Sequence, residues 1–272
     1  MRLRGKNVLI TGAAGLLGKQ HALACVSEGA NVLLIDKVDI TIENLFPDLD
    51  KSFFKKIIYR QCDITSEKEV IDSVSEFTNR FGILNCLVNN AAINPKIEET
   101  TTGNDRKNFY NDANWDNEIN VGLRGGILCS KIIGEELIAR KEKGSIVNIS
   151  SHFGIIAPNQ NIYKNLSFVN NVSDYEWIKP ISYSVIKHGV NGMTKYLAAL
   201  WGKYQIRVNT ISPGGVKNLN DDEFNERYSK TVPLGRMADP EDFRGALIYL
   251  LSDESSYTTG LNLIVDGGRT IW

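Results

Sequence analysis

Cysteine and histidine are both scarce in this sequence of 272 residues, and neither is clustered. Disulfide scaffolds and zinc sites need cysteines or histidines at close, regular spacing, and here no two cysteines form a CxxC pair. The sequence therefore indicates neither a disulfide scaffold nor a metal site, and we expect a reducing, cytoplasmic setting. The residues concerned are Cys25, Cys62, Cys86, Cys129, His21, His152 and His188.

An excess of charge and long hydrophobic runs are also lacking. The chain has 31 basic and 32 acidic residues and a net charge of -1, with no block of Lys or Arg, so nucleic acid is not expected as a partner. No stretch approaches the roughly 20 apolar residues of a membrane span. The apolar run at residues 7–10 is too short for a signal peptide. We expect no membrane partner.

What is present is an alternation of short apolar segments with longer segments of helical periodicity. Near-continuously apolar strands that alternate with helices favour a doubly wound α/β fold, a parallel sheet with helices on both faces. Residues 1–272 are expected to form a single domain of this Rossmann type. The predicted strands are residues 7–10, 31–35, 57–59, 84–88, 145–149, 206–211 and 262–265. The predicted helices are residues 16–28, 67–81, 113–143, 182–204 and 241–251.

Three polar stretches follow predicted strands, at residues 94–111, 152–181 and 214–231. In open α/β sheets, ligands bind at the carboxyl ends of the strands. These stretches are therefore expected to surround the ligand.

A glycine-rich turn joins the first strand to the first helix and reads Thr11-Gly12-Ala13-Ala14-Gly15-Leu16-Leu17-Gly18. Glycines allow a tight turn that brings backbone N–H groups against a pyrophosphate, and a helix N-terminus favours the negative charge. Such a turn can be purely structural, but its position after the first strand favours a dinucleotide site. The expected contacts are Gly12, Gly15, Leu16, Leu17 and Gly18.

Asp36 ends the second predicted strand, 36 − 18 = 18 residues after Gly18, close to where a ribose-binding acid is expected. A carboxylate there would repel the extra phosphate of NADP by about 4 kcal/mol per unit charge, at about 4 Å and an effective dielectric of about 20. Lys37 would soften this repulsion. The sequence predicts NAD as cofactor, with the alternative that Asp36 merely caps a turn.

Two further strand ends carry candidate cofactor contacts. Asp63 is expected to hydrogen-bond the adenine, with Ile64 offering its backbone, and Asn90 and Ala91 lie where the chain would pass close to the cofactor. Each of these segments, taken singly, is more typical of an ordinary loop than of a cofactor contact.

Tyr183 and Lys187 are four residues apart and therefore lie on one face of a predicted helix. The pKa of a free tyrosine is about 10, so ionising it at pH 7 costs about 4 kcal/mol. A cation about 4 Å away, at an effective dielectric of about 20, contributes about the same amount. Lys187 is thus predicted to lower the pKa of Tyr183 and make it a base, although this spacing also occurs by chance on solvated helices.

Two polar residues complete this candidate catalytic set. Ser151 follows the fifth predicted strand, where its hydroxyl could hydrogen-bond a substrate oxygen or simply cap the strand end. Asn120 falls inside a predicted helix, where asparagine is a poor choice, so a bonded role is expected for it.

Together these residues resemble the short-chain dehydrogenase/reductase family over essentially the whole chain. The resemblance implies a catalytic tetrad in which Tyr183 exchanges a proton, Lys187 holds the nicotinamide ribose, Ser151 orients the substrate and Asn120 anchors a water. It also implies that Pro213, Gly214 and Val216 border the nicotinamide, and it extends to Leu263-Ile264-Val265-Asp266-Gly267-Gly268.

The sequence departs from the family pattern in two places. The glycine turn reads TGxxGxxG rather than TGxxxGxG, a spacing typical of the longer sugar-nucleotide-modifying branch. The gap from Ser151 to Tyr183 is 183 − 151 = 32 residues, which indicates an inserted loop at about 155–181. Its amides and aromatic rings suit a polyhydroxylated substrate, and packing on a neighbouring subunit is the alternative. They are Asn159, Gln160, Asn161, Tyr163, Asn165, Phe168, Asn170, Asn171, Tyr175 and Trp177.

The predicted function is an NAD(H)-dependent oxidoreductase that interconverts a secondary alcohol and a ketone on a small-molecule substrate, which we expect to be a sugar or sugar derivative. A looser likeness to members of bacterial flagellin-modification and surface-glycan pathways points to the same substrate class. The alternatives are an NAD-retaining sugar-nucleotide epimerase or dehydratase and a non-catalytic dinucleotide-binding protein.

The resemblance also implies a homodimer or homotetramer, paired through residues 113–143 and 182–204. Gly122, Gly125 and Gly126 are expected to permit the close approach of the partner.

Overall fold

The structure is a computed structural model that describes residues 1–93, 112–163, 179–218 and 222–272. In these ranges seven strands form one parallel sheet in the order β3-β2-β1-β4-β5-β6-β7. The predicted doubly wound fold is confirmed. The strands are β1 Asn7–Thr11, β2 Asn31–Asp36, β3 Ile57–Gln61, β4 Cys86–Asn89, β5 Gly144–Ile149, β6 Ile206–Pro213 and β7 Asn262–Val265.

Burial on both faces explains why the strands are apolar throughout. Val8 and Ile10 of β1 face one core and Leu9 faces the other, and all three side chains are fully buried. A side-chain repeat of two residues produces this alternation. The helices that cover the sheet are α1 Leu16–Ser27, α2 Ile42–Leu45, α3 Glu67–Phe81, α4 Asp112–Ile119, α5 Gly126–Arg140, α6 Ile181–Trp201, α7 Asp222–Ser229 and α8 Arg244–Leu251.

The sheet order reverses at β1, which pairs with β2 on one side and with β4 on the other. The chain leaves β1 toward one half of the sheet and leaves β4 toward the other, and a crevice forms between the two connections. The carboxyl ends of β1, β4, β5 and β6 therefore surround one position, where the predicted site residues lie.

The predicted helix over residues 113–143 is not one regular α-helix. A π-helical segment, Asn120–Gly125, separates α4 from α5, and α5 ends at Arg140 because Lys141 is left-handed, with φ 55°. Apolar periodicity does not distinguish a π-helical turn from an α-helical one. Such turns often occur at functional sites.

Other helix predictions need smaller corrections. The predicted helix 182–204 is α6 followed by the 3₁₀ turn Gly202–Tyr204, and the predicted helix 241–251 begins as the 3₁₀ turn Pro240–Phe243. Two short helices, α2 and α7, were not predicted. Both bury a single residue, so neither carries an apolar stripe.

The three glycines after Asn120 lie against other parts of the same chain. A Cβ on Gly122 would lie 2.6 Å from Ile186, and one on Gly125 would lie 2.5 Å from Ile64. Gly126 faces Asn89 and Met193 at 3.7 Å or more. Gly122 and Gly125 therefore allow elements of the same chain to approach closely, and the role predicted for the three glycines at a partner subunit stays a prediction.

All three predicted polar stretches are partly or wholly outside the described residues, the third at residues 219–221. The stretch 94–111 lies outside them, as do residues 164–178 of the insertion, including Asn165, Phe168, Asn170, Asn171, Tyr175 and Trp177. Within the described ranges no helix has the length and apolar character needed to cross a membrane. No cluster of three metal-ligating side chains occurs in the same ranges. All four cysteines are buried free thiols.

Candidate active site

The glycine turn is tied to the loop after β4. The Thr11 hydroxyl accepts hydrogen bonds from the backbone N–H groups of Asn90 and Ala91, each at 3.0 Å. The Asn90 amide donates to the carbonyl oxygens of Thr11 and Gly12, at 3.0 and 2.9 Å. Asn90 and Ala91 therefore lie beside the turn, as predicted from their place after the fourth strand.

Two glycines are required by the shape of the turn. Gly12 has φ +64°, and a Cβ there would lie 2.7 Å from the Cα of Ala91. A Cβ on Gly18 would lie 2.1 Å from the carbonyl oxygen of Gly12. Side chains are excluded at both positions, because the backbone packs directly against itself.

The turn suits an anion. The helix α1 begins at Leu16 with Gly15 as its N-cap, and no side chain of the described residues caps its first N–H groups. Gly15 and Leu16 are exposed, whereas Leu17 is half-buried. Uncapped N–H groups at an accessible helix N-terminus form an anion site. The residues therefore fit the pyrophosphate of a dinucleotide.

Asp36 lies beside this turn, at the end of β2. Its carboxylate accepts hydrogen bonds from the backbone N–H of Ala14, at 2.9 Å, and of Val38, at 3.1 Å. The contact with Val38 is the turn cap that the sequence left open as an alternative. The contact with Ala14 places the same carboxylate against the glycine turn. Asp36 therefore caps its own turn and also lies beside the predicted cofactor site.

Asp63 is held by its own loop. One carboxylate oxygen accepts from the backbone N–H of Thr65, at 2.9 Å, and from its hydroxyl, at 2.7 Å. These hydrogen bonds lower the pKa of Asp63, and the Lys37 ammonium, 3.7 Å away, acts in the same direction. Ile64 is buried, and its side chain packs against Gly125.

Tyr183 lies on the first turn of α6 and Lys187 on the second, and both face the end of β5. Lys187 is 5 % exposed, and its ammonium donates a 2.9 Å hydrogen bond to the carbonyl oxygen of Ile149. The same ammonium lies 5.6 Å from the centre of the Tyr183 ring. Burial lowers the pKa of Lys187 to about 8.

Ser151 follows β5 directly and reaches the same tyrosine. Its hydroxyl accepts a 3.1 Å hydrogen bond from the backbone N–H of Phe153 and hydrogen-bonds to Tyr183. Burial raises the pKa of Tyr183, and the hydrogen bond from Ser151 opposes this rise. Serine, tyrosine and lysine are thus brought together at one strand end.

The pKa of Tyr183 differs from the prediction both in the direction of its shift and in the groups that cause it. The sequence predicts that Lys187 lowers the pKa of Tyr183, but in the structure the lowering comes from Ser151 and burial outweighs it. The reason is geometric, because the ammonium is turned toward the carbonyl of Ile149.

Asn120 is the first residue of the π-helical segment. This segment packs on the catalytic turn of α6, because Gly122 faces Ile186, the residue before Lys187. The asparagine that is unusual for a helix interior therefore stands where the regular helix is interrupted.

The strand β6 ends at Pro213, and the following residues close the far side of the crevice. A Cβ on Gly214 would lie 2.8 Å from the Cα of Asp266, and Val216 pairs with Ala238 in an isolated bridge. The Nδ1 atom of His152 lies 3.2 Å from the Pro213 carbonyl oxygen.

Sequence reasoning missed two residues of this region, Lys179 and Tyr228. Lys179 has its ammonium 4.2 Å from the centre of the Tyr183 ring. Tyr228 accepts a 2.6 Å hydrogen bond from the backbone N–H of Gly215, and its oxygen lies 3.4 Å from Nε2 of His152. Lys179 stands four residues before Tyr183, the spacing that singled out Lys187, and this was the one available signal.

Two family models together match almost the whole chain. A family model described as short chain dehydrogenase matches residues 6–164, and one described as enoyl-(acyl carrier protein) reductase matches residues 165–270. The 3-oxoacyl-[acyl-carrier-protein] reductase of Thermotoga maritima is 32% identical, with 100% of both chains covered. The post-translational flagellin modification protein A of Campylobacter coli is 29% identical, with 98% of both covered.

A solved structure resembles the whole chain. The short chain dehydrogenase of Leptospira borgpetersenii with bound NAD+ has a TM-score of 0.81 and 31% identity, over 99% of this chain and 94% of that one. This chain belongs to the short-chain dehydrogenase/reductase family, as the resemblance in its sequence predicted. It is an oxidoreductase of a family that binds a nicotinamide dinucleotide.

Proposed function

We propose that this enzyme interconverts a secondary alcohol and a ketone with NAD(H), and that Tyr183 exchanges the proton. The observation that carries the proposal is the meeting of Tyr183, Ser151 and Lys187 at the end of β5, in the crevice that the glycine turn also borders. A bound nicotinamide would supply the hydride chemistry that interconverts the carbinol carbon and the ketone.

The side chains of the site have separate roles in the rest of the reaction. In the oxidation, the substrate hydroxyl gives its proton to the phenolate of Tyr183 as the carbon loses its hydride, and the ketone forms; reduction reverses both transfers. Ser151 donates a hydrogen bond to the substrate oxygen, whose charge changes during the reaction. Lys187, fixed by the Ile149 carbonyl, holds the nicotinamide ribose. Asn120 anchors a water that relays the proton.

NAD rather than NADP is supported by the charges around Asp36. The carboxylate stands beside the glycine turn through its bond with Ala14, where it would repel a ribose phosphate. Lys37, the neighbouring cation, is paired with Asp63 at 3.7 Å, so its charge is partly compensated.

A sugar or sugar derivative is the proposed substrate, and the insertion is proposed to cover it. Among its described residues, Tyr163 is buried and stacks on Phe224 with ring centres 5.6 Å apart. Asn159 and Gln160 are hydrogen-bonded within the chain. The side-chain oxygen of Asn159 accepts from the backbone N–H of Asn161, and that of Gln160 accepts from the backbone N–H of Lys179. The flagellin modification protein among the relatives acts in a pathway of the kind that the looser sequence likeness indicates.

Self-association is proposed as well, through the outer faces of the two long helices. Ile127 on α5 and Tyr196 and Leu200 on α6 are exposed apolar side chains, Tyr196 by 69%. Light scattering at micromolar concentration is expected to give a dimer or tetramer, and Tyr196→Asp with Leu200→Asp is expected to shift it toward monomer. A monomeric wild type would contradict this part of the proposal.

The function is tested by following NADH absorbance with a panel of secondary alcohols, ketones, sugars and sugar derivatives, each with NAD and NADP. The proposal predicts a net change in NADH with at least one alcohol or ketone and a preference for NAD. Turnover with retained cofactor and no net NADH change would instead indicate an epimerase or dehydratase. Absence of turnover on the whole panel would favour a binding protein.

A further inference from the structure

A buried histidine follows Ser151, and both nitrogens of its ring have close polar neighbours. His152 is 4 % exposed. Its Nδ1 atom lies 3.2 Å from the carbonyl oxygen of Pro213, and its Nε2 atom lies 3.4 Å from the hydroxyl oxygen of Tyr228. The same Nδ1 atom lies 3.4 Å from the hydroxyl oxygen of Ser151. The imidazole therefore contacts the end of β6, the helix α7 and the serine of the site at once.

Tyr228 on α7 is fitted closely to the residues after β6. It is 3 % exposed, and its hydroxyl oxygen accepts a 2.6 Å hydrogen bond from the backbone N–H of Gly215. A Cβ on Gly215 would lie 2.4 Å from Cζ of the tyrosine ring, so this approach requires a glycine. Burial raises the pKa of Tyr228 to about 12. The hydroxyl therefore keeps its own proton at neutral pH and can donate it to Nε2 of His152.

These contacts determine which nitrogen of His152 carries the proton. Burial lowers the pKa of His152 to about 4, so the ring is neutral at pH 7 and only one nitrogen is protonated. A carbonyl oxygen only accepts hydrogen bonds, so the contact with Pro213 requires the hydrogen on Nδ1. Nε2 is then unprotonated and accepts from the Tyr228 hydroxyl. In the opposite tautomer the lone pair of Nδ1 would face the Pro213 carbonyl oxygen at 3.2 Å.

The tautomer of His152 decides where the Ser151 hydroxyl can donate its hydrogen. An Nδ1 atom that carries hydrogen cannot accept another, so the serine cannot donate to His152. The serine oxygen accepts from the backbone N–H of Phe153 at 3.1 Å. Its hydrogen is then available to Tyr183, whose pKa this hydrogen bond lowers. With the proton on Nε2 instead, the unprotonated Nδ1, at 3.4 Å, would compete for the same hydrogen.

We propose that His152 and Tyr228 are positioning residues of the reaction. Tyr228 holds His152 as its Nδ1–H tautomer, and this tautomer directs the Ser151 hydroxyl toward the phenol and the substrate oxygen. Both residues act through Ser151 and need not touch the substrate or the cofactor. This inference rests on the proposed function, in which Tyr183 exchanges the proton and Ser151 contacts the reacting oxygen. Because Tyr228 belongs to α7, the packing of this helix then sets the orientation of a hydrogen-bond donor in the active site.

The first test is the tautomer itself, and it needs no turnover. Nitrogen NMR spectra of the full chain with isotope-labelled histidine distinguish the two neutral tautomers, and His152→Asn assigns the signal by its loss. The wild type is expected to hold His152 as the Nδ1–H form. Tyr228→Phe is expected to move the ratio of the two forms about 2- to 10-fold toward Nε2–H, the effect of one lost hydrogen bond. An Nε2–H imidazole in the wild type, or a ratio that Tyr228→Phe leaves unchanged, would overturn the proposal.

The second test is the pH profile of alcohol oxidation in Tyr228→Phe. Diversion of the Ser151 hydrogen to His152 weakens the hydrogen bond that lowers the pKa of Tyr183. The rise of the rate with pH is therefore expected to move upward by up to about one pH unit, with a loss of about 2- to 10-fold in kcat at neutral pH. The affinity for NADH is expected to stay unchanged. An unshifted profile would count against the proposal.

A matched control is available on α8. The hydroxyl oxygen of Tyr249 lies 3.2 Å from that of Thr258, so Tyr249→Phe also removes a tyrosine hydroxyl from a hydrogen bond. This variant is expected to leave both the tautomer of His152 and the pH profile unchanged. Thermal unfolding of both tyrosine variants shows whether a difference in fold stability accompanies the kinetic effect.

A double variant tests whether Tyr228 acts through Ser151. In the Ser151→Ala background, Tyr228→Phe is expected to cause no further shift of the pH profile, because the hydroxyl that it orients is absent. An equal shift in both backgrounds would overturn the proposal, since Tyr228 would then affect the site by another route. That result leaves the proton-transfer role of Tyr183 intact. Failure of the proposed function is a different result, the survival of turnover in Tyr183→Phe.

Discussion

The hydroxyl of Ser151 is hydrogen-bonded to the phenol of Tyr183, and this bond opposes the rise in pKa that burial imposes on the tyrosine. The relationship gives Ser151 two tasks, since the same hydroxyl is proposed to contact the substrate oxygen. It also links the pH dependence of the reaction to a residue on β5 rather than to the lysine on α6.

Ser151→Ala is therefore expected to change both the rate and the pH profile. Loss of one donor at the reacting oxygen is expected to lower kcat by about 10²- to 10³-fold. Loss of the hydrogen bond raises the pKa of Tyr183 further, so the rise of alcohol oxidation with pH moves to higher pH. Steady-state rates across the pH range measure both effects, and an unshifted profile would show that Ser151 does not act on the tyrosine.

Gly12→Ala is expected to weaken cofactor binding and to destabilise the fold. The new methyl group would lie 2.7 Å from the Cα of Ala91, and φ at this position is +64°. The left-handed conformation alone costs roughly 1–2 kcal/mol. Gly235→Ala isolates this cost, because Gly235 has φ +67° and no atom near a Cβ. Urea unfolding and NADH fluorescence titration are the measurements, and equal effects of the two variants would argue against close packing at the turn.

Asp36→Asn is expected to shift the cofactor preference toward NADP. The amide keeps an oxygen for the Ala14 N–H but removes the negative charge that repels a ribose phosphate. The full repulsion, about 4 kcal/mol, is the upper limit of the free energy that NADP binding can gain from this change. We expect kcat/KM for NADP to rise at least tenfold. The ratio of the two kcat/KM values is measured, and a wild type that already prefers NADP would contradict the assignment.

His21 is expected to make the protein acid-sensitive. The side chain is 1 % exposed, neither ring nitrogen has a hydrogen-bond partner in the described part of the chain, and burial lowers its pKa to about 4. The unfolded chain takes up the proton near pH 6.5, whereas the folded chain resists until about pH 4. Stability is therefore lost as the pH falls through this window, by up to about 3 kcal/mol.

The matched variants are His21→Leu and His188→Leu, the first at a buried and the second at an exposed histidine. Thermal unfolding between pH 7 and pH 4 is expected to show less acid destabilisation for His21→Leu alone. Burial also lowers the pKa of His152 to about 4, so His152 still contributes acid destabilisation in both variants. Identical pH dependence in wild type and His21→Leu would refute the explanation.

Much of the fold was predictable because the strands are buried on both faces. Their apolar runs stand out from the amphipathic helices, and the predicted strand 262–265 is unchanged as β7. The π-helical segment was not predictable, since its apolar spacing resembles that of an α-helix. The glycines there pack on Ile186 and Ile64, neighbours that only the tertiary structure reveals.

The site residues that lie at strand ends, or four residues apart on one helix, were predictable from the sequence. Lys179 was missed because a proline and the insertion separate it from the predicted helix, and its place at the Tyr183 ring depends on its contacts with Gln160. The direction in which the Lys187 ammonium turns is likewise a tertiary property, and it explains why Ser151 rather than Lys187 lowers the pKa of Tyr183.

The most direct test of the central claim is the turnover of Tyr183→Phe, measured with a substrate that the wild type oxidises. The variant is expected to bind NADH with unchanged affinity and to lose about 10²- to 10⁴-fold in kcat, the contribution of a general acid or base. Turnover within a few-fold of the wild type would contradict the account, because the proton would then be exchanged by another group.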